Sequence, residues 1–201
     1  YVMEVIDGEE LGNAFVTAIG TVDRRMENHI AGCNIAEDLN NMETFYRTSG
    51  AMTCEGLETL YGGKLDRNFR DTAFVSKLFS MTQEAGCTRS DLYYNVAVKM
   101  FANDRSAKNA VRLAELNADA GNNDKAISYF TEAYNRDTNS VVRSDVLIRV
   151  AMMELGQGKR QEARDRAEHA WQLNKKNAAA LMLLAECYAG AELGNTFDNH
   201  A

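Results

Sequence analysis

Proline is absent from these 201 residues, which hold one tryptophan and three histidines. The residue that most strongly interrupts helices is therefore missing, glycine is scattered, and nearly continuous helix is expected. Three isolated histidines announce no catalytic base. There is no GxSxG, no phosphate-binding glycine loop and no HExxH. No basic stretch occurs either. Lysine and arginine (22) are outnumbered by aspartate and glutamate (29), the net charge is −7, and nucleic acid is not expected as a partner. No apolar run approaches the roughly 18 residues of a spanning helix, so no membrane span is expected. His29 and Cys33 stand at i, i+4, as two metal ligands on one helix face could. Gly32 disrupts that turn and no second pair accompanies them, so neither metal nor other cofactor is expected. The chain opens on Tyr1 rather than methionine. It reads as a processed or trimmed piece in which a signal peptide would not be seen.

What is present is helical periodicity. After a short apolar lead, Tyr1–Ile6, a long helix is expected over Glu9–Ile30. Leu11, Phe15, Ile19, Val22, Met26 and Ile30 trace its apolar face. Ala31–Asn34 breaks it. Ile35, Leu39, Met42, Phe45 and Tyr46 define a second helix ending near Gly50. Leu57, Leu60 and Tyr61 define a short third, expected to stop at Gly62-Gly63. Gly62-Gly63-Lys64 has a fragment of a phosphate loop's composition, but no strand precedes it. Phe74, Val75, Leu78, Phe79 and Met81 mark a fourth helix, closed by Gly86. Ser90 or Asp91 caps a fifth, which carries Leu92, Tyr93, Val96, Ala97, Met100 and Phe101. The acidic pairs Glu9-Glu10 and Glu37-Asp38 lie near helix starts, where the helix dipole favours them.

The stretch Asn109–Asn139 is the most legible. Leu113, Leu116 and Ala120 mark one helix face, and Gly121 ends it, as a glycine past a helix C-terminus does. Asn123 or Asp124 is expected to cap the next helix, which carries Ala126, Ile127, Phe130, Ala133 and Tyr134 at 3.6 spacing. Alanines on a bulky apolar stripe mean that a neighbouring backbone comes close. The pattern returns in Leu147, Val150 and Ala151 before Gly158, with Ala163, Ala167, Ala170 and Leu173 after it. Ala126 and Ala163 are 37 apart, which three extra turn residues around Val141–Arg143 would explain. A further first helix is expected over Ala178–Ala189, with Leu181, Leu184, Ala185 and Tyr188 in register.

These residues resemble the tetratricopeptide repeat, a helix-turn-helix unit of about 34 residues. Leu113 and Ala114 match its Leu-Gly/Ala pair, and Gly121 its inter-helix glycine. Ala126, Phe130 and Ala133 match the second helix, and Asp137 and Asn139 the closing turn. Thr138 stands in place of the usual proline, and Asn117 in place of the usual aromatic. The resemblance implies an all-α fold of helix-turn-helix repeats stacked as a right-handed α-solenoid. Degenerate helical repeats would occupy 1–105 and clearer repeats 106–201, divided as 106–140, 144–177 and a truncated 178–201.

The stretch from Cys54 through Ala85-Gly86-Cys87-Thr88-Arg89-Ser90-Asp91-Leu92-Tyr93, and the terminal Gly194–Phe197, further resemble large bacterial envelope proteins of the tetratricopeptide class. That group has no settled biochemical role. The resemblance implies a periplasmic or otherwise envelope-associated location, a cytoplasmic one being the alternative. It also implies a disulfide between Cys54 and Cys87, which the repeat register puts in neighbouring inter-helix turns. Two free thiols are the alternative reading of the same residues. Cys187 lies on an apolar face and reads as a small core residue. Cys33 reads as a free thiol.

In the tetratricopeptide class the first helix of each repeat lines a concave groove. The corresponding positions are Lys108, Val111, Glu115 and Ala118, then Asp145, Ile148, Met152 and Leu155, then Ala179, Met182, Glu186 and Ala189. Val111, Ile148 and Met182 stand where chaperone-binding members carry the lysine that clamps a peptide carboxylate, so capture of a chaperone tail is not expected. An apolar floor of Val111, Ile148, Met152 and Met182 remains, edged by Glu115 and Glu186. The expected function is a non-catalytic scaffold holding a peptide or helix of a partner protein. The alternative is a structural spacer or oligomerisation segment of a larger repeat protein, pairing through its solenoid ends.

Overall fold

Capping side chains mark where several helices of this protein begin, and glycines mark where several end. In the computed structural model, residues 8–27 and 35–197 are described, with side chains described over 8–24 and 37–189. His29, Cys33, the Tyr1–Ile6 lead and His200 lie outside that range. Every element among the described residues is a helix. The chain divides into two units, Tyr1–Asn103 and Asp104–Ala201.

The first unit comprises α1 (Gly8–Glu27), α2 (Ile35–Thr48), α3 (Cys54–Leu57), a π-helical turn (Glu58–Gly62), α4 (Gly63–Asn68), α5 (Thr72–Glu84) and α6 (Asp91–Asn103). The Asp71 carboxylate accepts from the amides of Ala73 and Phe74 and starts α5. The Ser90 hydroxyl accepts from the Tyr93 amide and starts α6. Each occupies an N-cap, where a side-chain oxygen satisfies an otherwise orphaned amide. The expected stop at Gly62-Gly63 does not occur. Both glycines adopt right-handed helical φ, −54° and −70°. Leu57, Leu60, Tyr61 and Leu65 stay buried across them, so core contact carries the helix through a pair of weak helix formers. At Gly56 no side chain fits, since a Cβ there would lie 2.3 Å from the Tyr46 hydroxyl. That close approach lets the start of α3 settle on fully buried Tyr46.

The second unit comprises α7 (Ala107–Asp119), α8 (Asn123–Arg136), α9 (Ser140–Gly156), α10 (Arg160–Leu173) and α11 (Ala178–Phe197). Each helix packs on the next, and α11 also reaches α9. The alanines do what their pattern required. Ala114, Ala126, Ala133, Ala151, Ala163 and Ala167 are completely buried, so the backbones approach closely, while Leu113, Phe130 and Val150 fill the space between.

Three details differ from expectation. Asn122, not Asn123 or Asp124, occupies the N-cap of α8, and its side chain makes no capping bond. Val141–Arg143 adds no length to the turn but lies in the first turn of α9. Asn139 caps that turn through the Val141 amide, and the Arg143 guanidinium sits 4.1 Å from the Tyr134 ring centroid. Finally, α11 continues beyond Ala189 to Phe197.

The helix ends repeat. Gly50, Gly86, Gly121 and Gly158 all have φ between 70° and 79°, at spacings of 36, 35 and 37 residues. Only glycine enters that region without steric cost. After the last three, an amide reaches back to the carbonyl five residues earlier: Cys87 to Thr82, Asn122 to Asn117 and Lys159 to Glu154, at 2.8–2.9 Å. This is the Schellman closure of a helix. The side chains of Thr82, Asn117 and Glu154 are all buried. Thr82 donates to the Phe79 carbonyl, Asn117 to the Leu113 carbonyl, and Glu154 accepts from the Arg166 Nε at 2.6 Å. The chain is thus helical and repeat-like, with a polar residue sunk at the same step of successive hairpins.

Candidate functional site

A cleft of about 460 Å³ opens between the C-terminal end of α9 and the N-terminal half of α11. Its lining is Met152, Leu155 and Gly156 from α9, with Ala179, Met182, Leu183 and Glu186 from α11. Helical spacing sets this composition. Ala179, Met182 and Glu186 recur at i, i+3 and i+7, so they share one face of α11. Leu183 both lines the cleft and joins the core that holds the two helices together. Ala180, Leu183 and Cys187 of α11 are buried with Leu147, Ile148 and Ala151 of α9.

The start of α11 is fixed by polar contacts to α9 and to the end of α10. The Ser144 hydroxyl donates to the Ala170 carbonyl at 2.8 Å and accepts from Asn177 Nδ2 at the same distance. Asn177 also donates to Asp145 at 3.0 Å. Ser144 and Asn177 are both buried, so this network links α9, the end of α10 and the entry to α11 without an orphaned amide.

Met152 is 60% exposed and Met182 73% exposed. Large apolar side chains normally lose about 1.5–3 kcal/mol by staying in water when burial is open to them. Two flexible thioethers facing one cleft therefore form a surface able to gain energy by being covered, and able to adjust to what covers it. Met152, Met182 and Glu186 come together here, and the repeat positions Leu155 and Ala179 join them. Lys108, Val111 and Glu115 do not line this cleft. Lys108 is exposed and Val111 half-buried on α7, while Glu115 is engaged by Arg149 of α9 at 2.7 Å.

Ile148 is a correction. It is only 5% exposed and belongs to the α9–α10–α11 core, so it supports the cleft from beneath and offers a partner nothing. Helix α9 is apolar on more than one side, and sequence position alone did not say which side the partner helices would take. Gly156 and Leu183 were missed for the same reason.

Cys54 and Cys87 are joined by a disulfide, with Cα atoms 5.5 Å apart. It ties the start of α3 to the α5–α6 loop. Cys187 is a buried free thiol, and burial pushes its pKa above the ordinary value. It acts as packing. Sequence reasoning also missed a buried polar cluster in the first unit. The Tyr61 hydroxyl donates to Glu43 Oε1 at 2.6 Å, and Lys77 pairs with Glu43 Oε2. Burial, then the hydrogen bond to Glu43 and its negative charge, hold the Tyr61 phenol well above its usual pKa. Both oxygens of Glu43 are engaged, so the cluster ties α2, the π turn and α5 together. Among the described residues, no three His, Cys, Asp or Glu side chains converge as metal ligands, and no helix is long and apolar enough to cross a membrane.

No protein-family model matches the chain, and no curated protein is significantly similar to it.

Proposed function

We propose that this chain is a non-catalytic interaction scaffold of the tetratricopeptide kind, its hairpins stacked as a right-handed solenoid. Its first helices would hold a peptide or helix of another protein. One observation carries the reading: Met152 and Met182 stand mostly exposed on facing helices of a preformed apolar cleft. Left-handed glycines at 35–37-residue spacing and buried alanines at helix crossings support the repeat architecture. The Cys54–Cys87 bond supports an envelope or otherwise oxidising location, since thiols elsewhere are kept reduced.

The test is selection from a displayed library of amphipathic helical peptides on the wild-type chain, with counter-selection on Met152→Lys/Met182→Lys. Both side chains are exposed, so the variant keeps its far-ultraviolet circular dichroism. Peptides enriched on the wild type and lost on the variant support a binding groove. No enrichment, or peptides held equally by both, refutes it.

A second observation favours the structural-spacer reading. On a different face of α11 from the cleft, Leu181 and Tyr188 share a stripe and are each about half exposed. A further copy of the chain covering that stripe would make the segment an oligomerisation element. Sedimentation equilibrium showing a dimer that Leu181→Glu dissolves would favour this reading, and a monomer at high concentration would count against it.

A further inference from the structure

We infer that the partner of the α9–α11 cleft presents a lysine or arginine one helical turn from an apolar anchor, with Glu186 as the group that receives it. The inference rests on reading the cleft as a binding site and adds the chemistry of the occupant.

The first observation is the charge left over. Arg149 is tied to Glu115 at 2.7 Å, and Glu154 to Arg166 at 2.6 Å. Glu115 and Glu154 are thus each already paired with an arginine. Glu186 lies on the cleft wall, is exposed, and has no ion pair among the described residues. Among the described residues of the lining it alone is charged.

The second observation is independent of any side chain. Gly156, the last residue of α9, is part of the cleft lining. A helix C-terminus carries partial negative charge from its aligned peptide dipoles, although here the Glu154 and Leu155 carbonyls already accept from the Lys159 and Gly158 amides. The end of α9 and the Glu186 carboxylate therefore put the same sign of potential on one apolar cleft, and a cation is the complementary group.

Geometry sets the spacing. Met182 and Glu186 are four residues apart on α11, about 6 Å along its axis. A partner helix lying along α11 brings two of its own side chains four apart against them. An aliphatic residue meets Met182 and Met152, and a lysine or arginine at the next turn meets Glu186. The apolar contact supplies most of the affinity, while the cation fixes register and direction.

The experiment uses the whole chain and the displayed library of amphipathic helices, selected in parallel on wild type and on Glu186→Lys. The expected result is enrichment on wild type of lysine or arginine four residues from an apolar anchor. On Glu186→Lys, aspartate or glutamate should be enriched at that position. A synthetic wild-type binder should lose roughly two- to fivefold in affinity when its lysine becomes glutamine, the range for an exposed ion pair. That loss should vanish against Glu186→Gln and shrink at high salt. Peptides that depend on Met152 and Met182 but show no charge preference would overturn this inference and leave the groove intact. No enriched peptide on either protein would overturn both.

Discussion

Removing the Cys54–Cys87 bond should lower the stability of the first unit far more than any surface change. The bond closes a sequence separation of 33 residues. In the chain-entropy picture, opening such a loop releases about 3.7 kcal/mol of constraint on the unfolded chain at 25 °C. The folded state loses little in exchange, because the two Cα atoms sit at an ordinary bridging distance of 5.5 Å and Cys87 is already buried. For a unit of about 100 residues this corresponds to roughly 15–30 °C in Tm. The assay compares the oxidised wild type with Cys54→Ala/Cys87→Ala. Hydrogen exchange is followed at Val75, Leu78 and Met81 of α5, all buried in that unit. Exchange there through global opening should quicken several-hundred-fold. Trp171, the only tryptophan, belongs to the second unit, so its fluorescence serves as an internal control. A Tm change below about 5 °C with unchanged α5 exchange would refute the reasoning. It would mean either that the reduced chain keeps these segments together in its unfolded state or that the bond does not form.

Two further perturbations separate core from surface and fix the sign of a titration. Ile148→Lys forces an ammonium group into the α9–α10–α11 core and should cost several kcal/mol, while Met182→Lys should stay within about 0.5 kcal/mol. Urea midpoints followed by circular dichroism distinguish them, and equal midpoints would show that Ile148 is not core. For Tyr61 the folded-state pKa lies above the unfolded value of 10.0. Its contribution is therefore complete below pH 10 and is lost as pH rises beyond it, because the unfolded phenol releases its proton while the folded one holds on. Stability of the wild type should fall from pH 10 upward more steeply than that of Tyr61→Phe, and parallel slopes would remove Tyr61 from the account.

Much of the local structure was legible in residues that act within one turn of themselves. Gly121 and Gly158 end helices because the left-handed backbone needed there excludes side chains. Ser90 starts one through a hydroxyl three residues from the amide it serves. Ala126, Ala133, Ala163 and Ala170 announced close helix crossings, since small residues on an apolar stripe have no better use. Gly62-Gly63 misled for the converse reason. A glycine pair is a weak helix former, yet the burial of Leu60, Tyr61 and Leu65 on either side outweighed local preference.

The candidate site was legible only in part. Met152, Met182 and Glu186 lie on repeat positions readable from the chain, and Ile148 lies on the same set. Periodicity says that a face of α9 is apolar. It does not say which of several apolar side chains the neighbouring helices will cover. That choice belongs to packing, where Ala151, Ala180 and Leu183 draw α9 and α11 together around Ile148 and leave the two methionines in water. The Glu43–Tyr61–Lys77 cluster belongs to the same category, because its members lie 18 and 34 residues apart and no local rule couples them. By itself the sequence determined that the chain is helical, where several helices stop, and which crossings are tight, since these follow from backbone sterics and side-chain size. Tertiary structure alone decided which apolar and charged groups are buried in pairs and which are left facing a cleft, because burial depends on neighbours that sequence distance does not reveal.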